Sequence, residues 1–192
     1  MSHIPSTERL DDATRYRLHA TMTILSHWDI DVFTHGVLVA LAMAELAPTG
    51  QTEAWYWAGL FHDVGKITLP RALLNKPGAL DPDERQRMQQ HSARGAQILT
   101  DLGAPRTIVD AAKFHHERWD GTGYPCGTGG LEIPLVARAV ALADMYAALT
   151  SDRPYRRAFT PAQARLQIER NAGTQFDPEA VERFLESLKD EG

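Results

Sequence analysis

Eight stretches of the sequence space their apolar residues at helical intervals, and alternating strand patterns are scarce. They run near residues 7–28, 32–47, 51–63, 82–101, 105–116, 135–151, 161–171 and 178–189. Several have readable starts. Asp81-Pro82-Asp83-Glu84 offers a capping carboxylate, proline at the first helical position and an acid three residues after the cap. Thr160-Pro161-Ala162-Gln163 repeats that logic, and Asp177-Pro178 reads the same way. Gly65 and Gly103 stand where helix C-termini favour a residue tolerant of left-handed geometry. The longest break, residues 120–134, reads DGTGYPCGTGGLEIP and carries five glycines. A loop of that length inside a helical domain is more often functional than idle. These features predict an all-α domain.

The 192 residues suit one domain with a full core. At 43% hydrophobic and 23% charged, the chain is not disordered. Its 20 Lys plus Arg against 25 Asp plus Glu give a net charge of −5, a poor basis for binding a nucleic acid polymer or an anionic membrane surface. The most apolar run, residues 37–47, is too short to span a bilayer and contains Glu45. With one cysteine, Cys126, there is no internal disulfide. A soluble, cytoplasmic protein is expected.

His62-Asp63 closes an apolar helix just before Val64-Gly65-Lys66. Taken alone, the pair reads more readily as a polar helix end. Neighbouring helical residues point about 100° apart, so such a pair cannot easily chelate one ion symmetrically. It can serve two, with Asp63 bridging and His62 on one of them. His115-His116 has the same geometry. Followed by Glu117, Asp120 and a glycine-rich loop, that pair fits metal ligation better than core packing, because buried imidazoles need partners.

HHERWDGTGYP at residues 115–125 resembles the defining motif of the HD-GYP family of bacterial cyclic di-GMP phosphodiesterases. HDVGK at 62–66, LNKPGAL at 74–80, QHSARGAQIL at 90–99, EIPLVARAVALAD at 132–144, TSDRPYR at 150–156 and GTQFDPE at 173–179 follow in that family's order. The likeness runs from about residue 31 to the end. It implies an HD-superfamily helical bundle over 31–192 with a long GYP loop at Gly123, Tyr124 and Pro125, preceded by an N-terminal helical extension over 1–30.

The resemblance also implies a ligand set of His35, His62, Asp63, His91, His115, His116 and Asp144. Imidazole and carboxylate without thiolate suit iron or manganese, and zinc as well. Two divalent ions are expected, or three if Asp31, one helical turn before His35, joins in place of the family's usual Glu; Asp31 is equally a candidate N-cap, as is Asp29. Asp63 and Lys66 would be catalytic. Lys66, Arg153 and Arg156 would hold the substrate's phosphate or guanine. For Lys66 a solvated cation at a helix end is the plain alternative, and for Asp144 a salt bridge to an Arg.

Hydrolysis of cyclic di-GMP to pGpG, and on to GMP, is the expected activity. GGDEF-type cyclase domains are candidate partners at the GYP loop, and a homodimer is compatible. Ala147 stands where the family commonly has Asp, which puts substrate affinity or base preference in question. Two alternatives follow: an HD hydrolase acting on another cyclic dinucleotide or nucleotide, and a catalytically silent module that senses the dinucleotide or docks a partner.

Overall fold

The structure, a computed structural model, describes residues 10–152 and 157–188. Among these the chain forms α1 (Asp12–Trp28), α2 (Ile30–Leu46), α3 (Thr52–Phe61), the single turn α4 (Arg71–Leu74), α5 (Pro82–Asp101), α6 (Arg106–Phe114), α7 (Leu135–Thr150), α8 (Pro161–Arg170) and α9 (Pro178–Ser187). Short 3-10 turns at Val64–Thr68 and Gly130–Glu132 complete it. No strand occurs among the described residues, only an isolated bridge between Ala172 and Phe176. No described helix is long and apolar enough to cross a membrane.

The caps act as the sequence predicts. Asp81 and Glu84 form a reciprocal capping box at α5, and Thr160 and Gln163 do so at α8. Asp177 accepts from the Glu179 amide at the start of α9. Asp29 caps α2, accepting from the amides of Asp31 and Val32.

α3 is the pivot. Its sequence, TEAWYWAGLF, is apolar on nearly every side, so it is buried on nearly every side. Trp55 and Ala58 join a core built with α2, α7, α8 and α9. Trp57, Leu60 and Phe61 join a second core with α1, α5 and α6, where Trp57 and Phe61 stack at 5.6 Å. Each fully buried side chain of this size contributes about 2 kcal/mol. Residues 12–28, which the sequence places in an extension, form α1, and its Leu18 and Leu25 are buried in that second core.

Two glycines let backbones meet. A Cβ on Gly36 of α2 would lie 2.7 Å from the Leu60 carbonyl oxygen of α3. A Cβ on Gly65 would lie 1.9 Å from the carbonyl oxygen of His91 in α5. Gly65 therefore differs from expectation. It is not a left-handed helix terminator but the place where the Val64–Thr68 turn presses on α5. Gly103, with φ of +72°, is the left-handed residue predicted.

Candidate metal centre

The seven expected ligands come from five helices and converge in two groups. His35 sits in α2, His62 and Asp63 follow the last residue of α3, His91 is in α5, His115 and His116 follow α6, and Asp144 is in α7. His35, His62 and Asp144 form one group. Asp63, His91, His115 and His116 form the other, and within each group the ligand atoms lie within 4.8 Å of one another.

Asp63 stands between them. Its Oδ2 is 3.3 Å from His62 Nε2, while its Oδ1 is 3.2 Å from His91 Nε2 and 3.7 Å from His115 Nε2. His62 Nε2 also lies 4.0 Å from Asp144 Oδ1, and His35 Nε2 is 2.8 Å from the same oxygen.

Backbone carbonyls orient the buried rings. His62 Nδ1 bonds the Gly59 carbonyl at 2.7 Å, and His91 Nδ1 bonds that of Met88 at 2.7 Å. His115 Nδ1 reaches Ala112 at 3.0 Å and Ala111 at 3.2 Å. A carbonyl only accepts, so each Nδ1 carries the proton, and in the neutral ring Nε2 presents a lone pair to the centre. His91 Nε2 and His115 Nε2 then face each other at 3.4 Å. Among the described residues, His62 Nε2 and Asp63 Oδ1 are buried with no hydrogen-bond partner. Converging lone pairs and an orphaned carboxylate oxygen are costly unless a cation lies among them. The donor set fits divalent transition metals on that ground.

Charge states agree with that fit. Burial pushes the Asp63 carboxyl upward, but Lys66 and His62 hold it well below the ordinary carboxylate value. Burial likewise opposes Asp144, yet its bond to His35 and the charge of His62 keep it low. Burial lowers His115, and burial with the charges of His115 and His91 takes His116 to about 2, so both rings are neutral and free to ligate. His62 is the exception. Burial disfavours its cation, but Asp63 and Asp144 raise it.

The profile of the HD domain family matches residues 17–180. The chain belongs to that family. Its similarity to cyclic di-GMP phosphodiesterases agrees with the HD-GYP resemblance of its motifs. It is 40% identical over 159 residues to a 3'3'-cGAMP-specific phosphodiesterase of Vibrio cholerae, covering 81% of this chain and 35% of the relative. It is 39% identical over 163 residues to a cyclic di-GMP phosphodiesterase of Pseudomonas aeruginosa, covering 81% and 39%. A cyclic di-GMP phosphodiesterase of Thermotoga maritima is 43% identical over 141 residues, covering 72% and 38%. The chain thus spans a little over a third of the length of these relatives. The HD domain of an L. monocytogenes phosphodiesterase, solved with cyclic-di-AMP, superimposes with a TM-score of 0.66 at 19% identity, covering 90% of this chain and 95% of that one. An HD-GYP-like protein of Bdellovibrio bacteriovorus gives 0.65 at 21%, covering 92% and 61%. At these identities the two structures speak for the fold.

The other residues singled out in the sequence fall in different places. Lys66, in the Val64–Thr68 turn, ion-pairs with Asp63 at the edge of the cluster. Asp144 pairs with histidines, not with an Arg. Asp31 lies exposed in the first turn of α2, outside both groups, and the cap there is Asp29. Arg153 and Arg156 lie outside the described residues. Ala147 is buried in the apolar core around Phe184 and Ile168 rather than among the ligands.

The GYP loop is docked, not splayed. The Trp119 and Asp120 amides donate to the Gln175 and Thr174 carbonyls, so the GTQFDPE segment acts through its backbone. Glu117, 4% exposed, accepts from the amides of Cys126 at 2.6 Å and Thr128 at 3.1 Å. Gly123 packs so closely that a Cβ would lie 2.5 Å from the His116 carbonyl oxygen. The Tyr124 ring stacks on His116. The sequence marks Glu117 only as a neighbour of the double histidine; a carboxylate directly after two histidines and before a glycine-rich loop is the available signal.

Proposed function

We propose that the chain is the catalytic unit of a metal-dependent phosphodiesterase that opens cyclic di-GMP to linear pGpG and hydrolyses it on to GMP. The observation that carries this reading is the partnerless Asp63 Oδ1 among converging Nε2 atoms, in a chain about 40% identical to cyclic dinucleotide phosphodiesterases. Residues 31–192 form the catalytic unit, with α1 of the 1–30 extension packed into its second core.

His35, His62 and Asp144 would hold one ion and His91, His115 and His116 another, with Asp63 shared between them. Iron or manganese suits these donors. When bound, such ions supply Lewis-acid polarisation of phosphoryl oxygens and acidify a water for attack at phosphorus. The protein's own groups do the rest. Ionised Asp63 orients the attacking water. Lys66, already beside Asp63, meets a phosphoryl oxygen as negative charge builds there. Arg153 and Arg156 clasp a phosphate or guanine edge of the substrate. The loop at Gly123, Tyr124 and Pro125 offers a docking surface to GGDEF-type cyclase domains, in the cytoplasm where such partners work, and the chain acts as a homodimer.

Purified protein loaded with iron or manganese should convert cyclic di-GMP to pGpG, and Asp63→Ala should abolish this. Robust turnover by that variant, or by protein stripped with a chelator, would overturn the reading. A second substrate, 3'3'-cGAMP, is favoured by the Vibrio relative specific for it. Competition between the two dinucleotides decides, with a strong preference for cyclic di-GMP removing the alternative. Dinucleotide binding without bound metal or turnover would instead mark a silent sensing module.

A further inference from the structure

Four imidazoles of the cluster have a ring nitrogen fixed by a hydrogen bond: His35 to Asp144, and His62, His91 and His115 to backbone carbonyls. His116 has none among the described residues, and a different device restrains it. The Tyr124 ring lies on its face with centroids 4.7 Å apart and planes 28° from parallel. His115 lies beside it at 4.0 Å, and His91 meets it edge-on at 5.0 Å. Rotation about the last side-chain bond of His116 would collide with one of these rings.

Tyr124 holds that place because the loop is pinned on both sides of it. Its own amide donates to the His116 carbonyl at 3.2 Å. Two to four residues further on, the Cys126 and Thr128 amides satisfy the two oxygens of buried Glu117. A buried carboxylate stripped of these partners would carry a desolvation penalty, so loop docking and the satisfaction of Glu117 are one event.

We propose that Glu117 and Tyr124 are positioning residues for His116, so that the GYP loop sets the metal affinity of the Asp63–His91–His115–His116 half and leaves the His35–His62–Asp144 half alone. This rests on the metal-centre reading above. The face of the tyrosine, not its hydroxyl, is the working part. In other metal sites, loss of an orienting partner weakens affinity by about 10–100-fold.

The test is a titration of the stripped protein with cobalt(II), following its absorption bands and the number of ions bound. Wild type should take up two ions. Tyr124→Ala should weaken one of the two by about 10–100-fold with the other unchanged, and Tyr124→Phe should behave as wild type. Glu117→Gln, whose amide oxygen can serve only part of the demand of two amides, should show the same selective loss. It should also speed thiol labelling of Cys126, the single cysteine and an exposed one. If Tyr124→Ala does not fold, as judged by circular dichroism, Glu117→Gln carries the test. Unchanged affinity in the folded variants, equal weakening of both ions, or a Tyr124→Phe as weak as the alanine variant would overturn the proposal while leaving the metal centre standing. No uptake by wild type would overturn both.

Discussion

The two halves of the cluster use the same donor types and are held in opposite ways. In the half at α2, α3 and α7, His35 and Asp144 satisfy each other at 2.8 Å, and their side chains keep 20% and 25% of their exposure. In the half at α5, α6 and the loop, His91 and His115 are sealed, Asp63 is 7% exposed, and its Oδ1 has no hydrogen-bond partner. In the first, the His35–Asp144 hydrogen bond stands without an ion, although the His62 Nε2 beside it is buried and has no hydrogen-bond partner. The second confronts lone pairs with a carboxylate oxygen and gains more from a cation. A shared ligand list therefore does not make the sites equivalent; burial decides how much each needs its ion.

The largest effects should come from removing a ligand. Asp63→Ala touches both halves, and turnover should fall by at least about 1,000-fold, on the order of 4 kcal/mol of barrier. His35→Ala removes a donor from the more exposed His35–Asp144 pair, and a smaller loss of about 10–100-fold is expected. Elemental analysis with initial rates checks both. An equal or greater loss for His35→Ala would break the proposed asymmetry.

Next come the two close approaches that hold the halves. Gly65→Ala would drive a methyl into the His91 carbonyl from 1.9 Å, whereas Gly36→Ala meets the Leu60 carbonyl at 2.7 Å. Backbone cannot yield as a flexible side chain does, so Gly65→Ala should cost about 3 kcal/mol, the upper end of overpacking, and Gly36→Ala about 1–2 kcal/mol. Denaturant melts of both variants decide, and the reverse order would place the tighter constraint on α2.

Those contacts also mark where sequence reading stopped. The helices were legible because their caps are local: Asp81, Thr160 and Asp177 each bond an amide two or three residues on. Of the expected ligands, His62-Asp63 and His115-His116 stood out as short motifs, whereas His35, His91 and Asp144 came only with the family resemblance; the structure brings all seven together. Gly65 was not, because its reason lies across space in α5. Glu117 was not, because its partners are backbone amides, which carry no side-chain signature. Ala147 was read against a family pattern, and only packing shows it among Phe184 and Ile168. The one-turn α4 had too few residues for a periodic signal.

A third contrast is readable by pH. In metal-stripped protein, His116 binds its proton only near pH 2 in the fold but near 6.5 when unfolded, and His115 is shifted the same way by burial. Below about pH 6.5 the unfolded chain takes up protons that the fold refuses, so these two groups cost stability as pH falls. His62 has the opposite sign: its raised value adds stability below the unfolded value, and that is lost as pH rises through the folded one. Asp63 and Asp144, both depressed, contribute stability above about pH 4 that is lost only in stronger acid. The net expectation between pH 6.5 and 5 is a loss on the order of 1 kcal/mol per pH unit. Thermal melts in chelator should show this slope, and His116→Gln should flatten it. A slope unchanged by that substitution would remove His116 from its cause.

The smallest effects lie at the start of α2, where two acids two residues apart do different work. Asp29 accepts from the amides of Asp31 and Val32, each at 3.1 Å, so Asp29→Ala should cost about 1 kcal/mol and loosen the helix that carries His35. Asp31 is exposed and outside both ligand groups. It can offer only a favourable charge at the helix N-terminus, about 0.3–1 kcal/mol at low salt. Asp31→Asn should therefore leave the number of bound ions at two and lower stability by less than Asp29→Ala does, with its own cost shrinking in salt. If Asp31→Asn instead lost a third ion at unchanged stability, the less buried half would be the one that recruits an extra ligand. Its exposure would then be room for coordination rather than a sign of weaker demand.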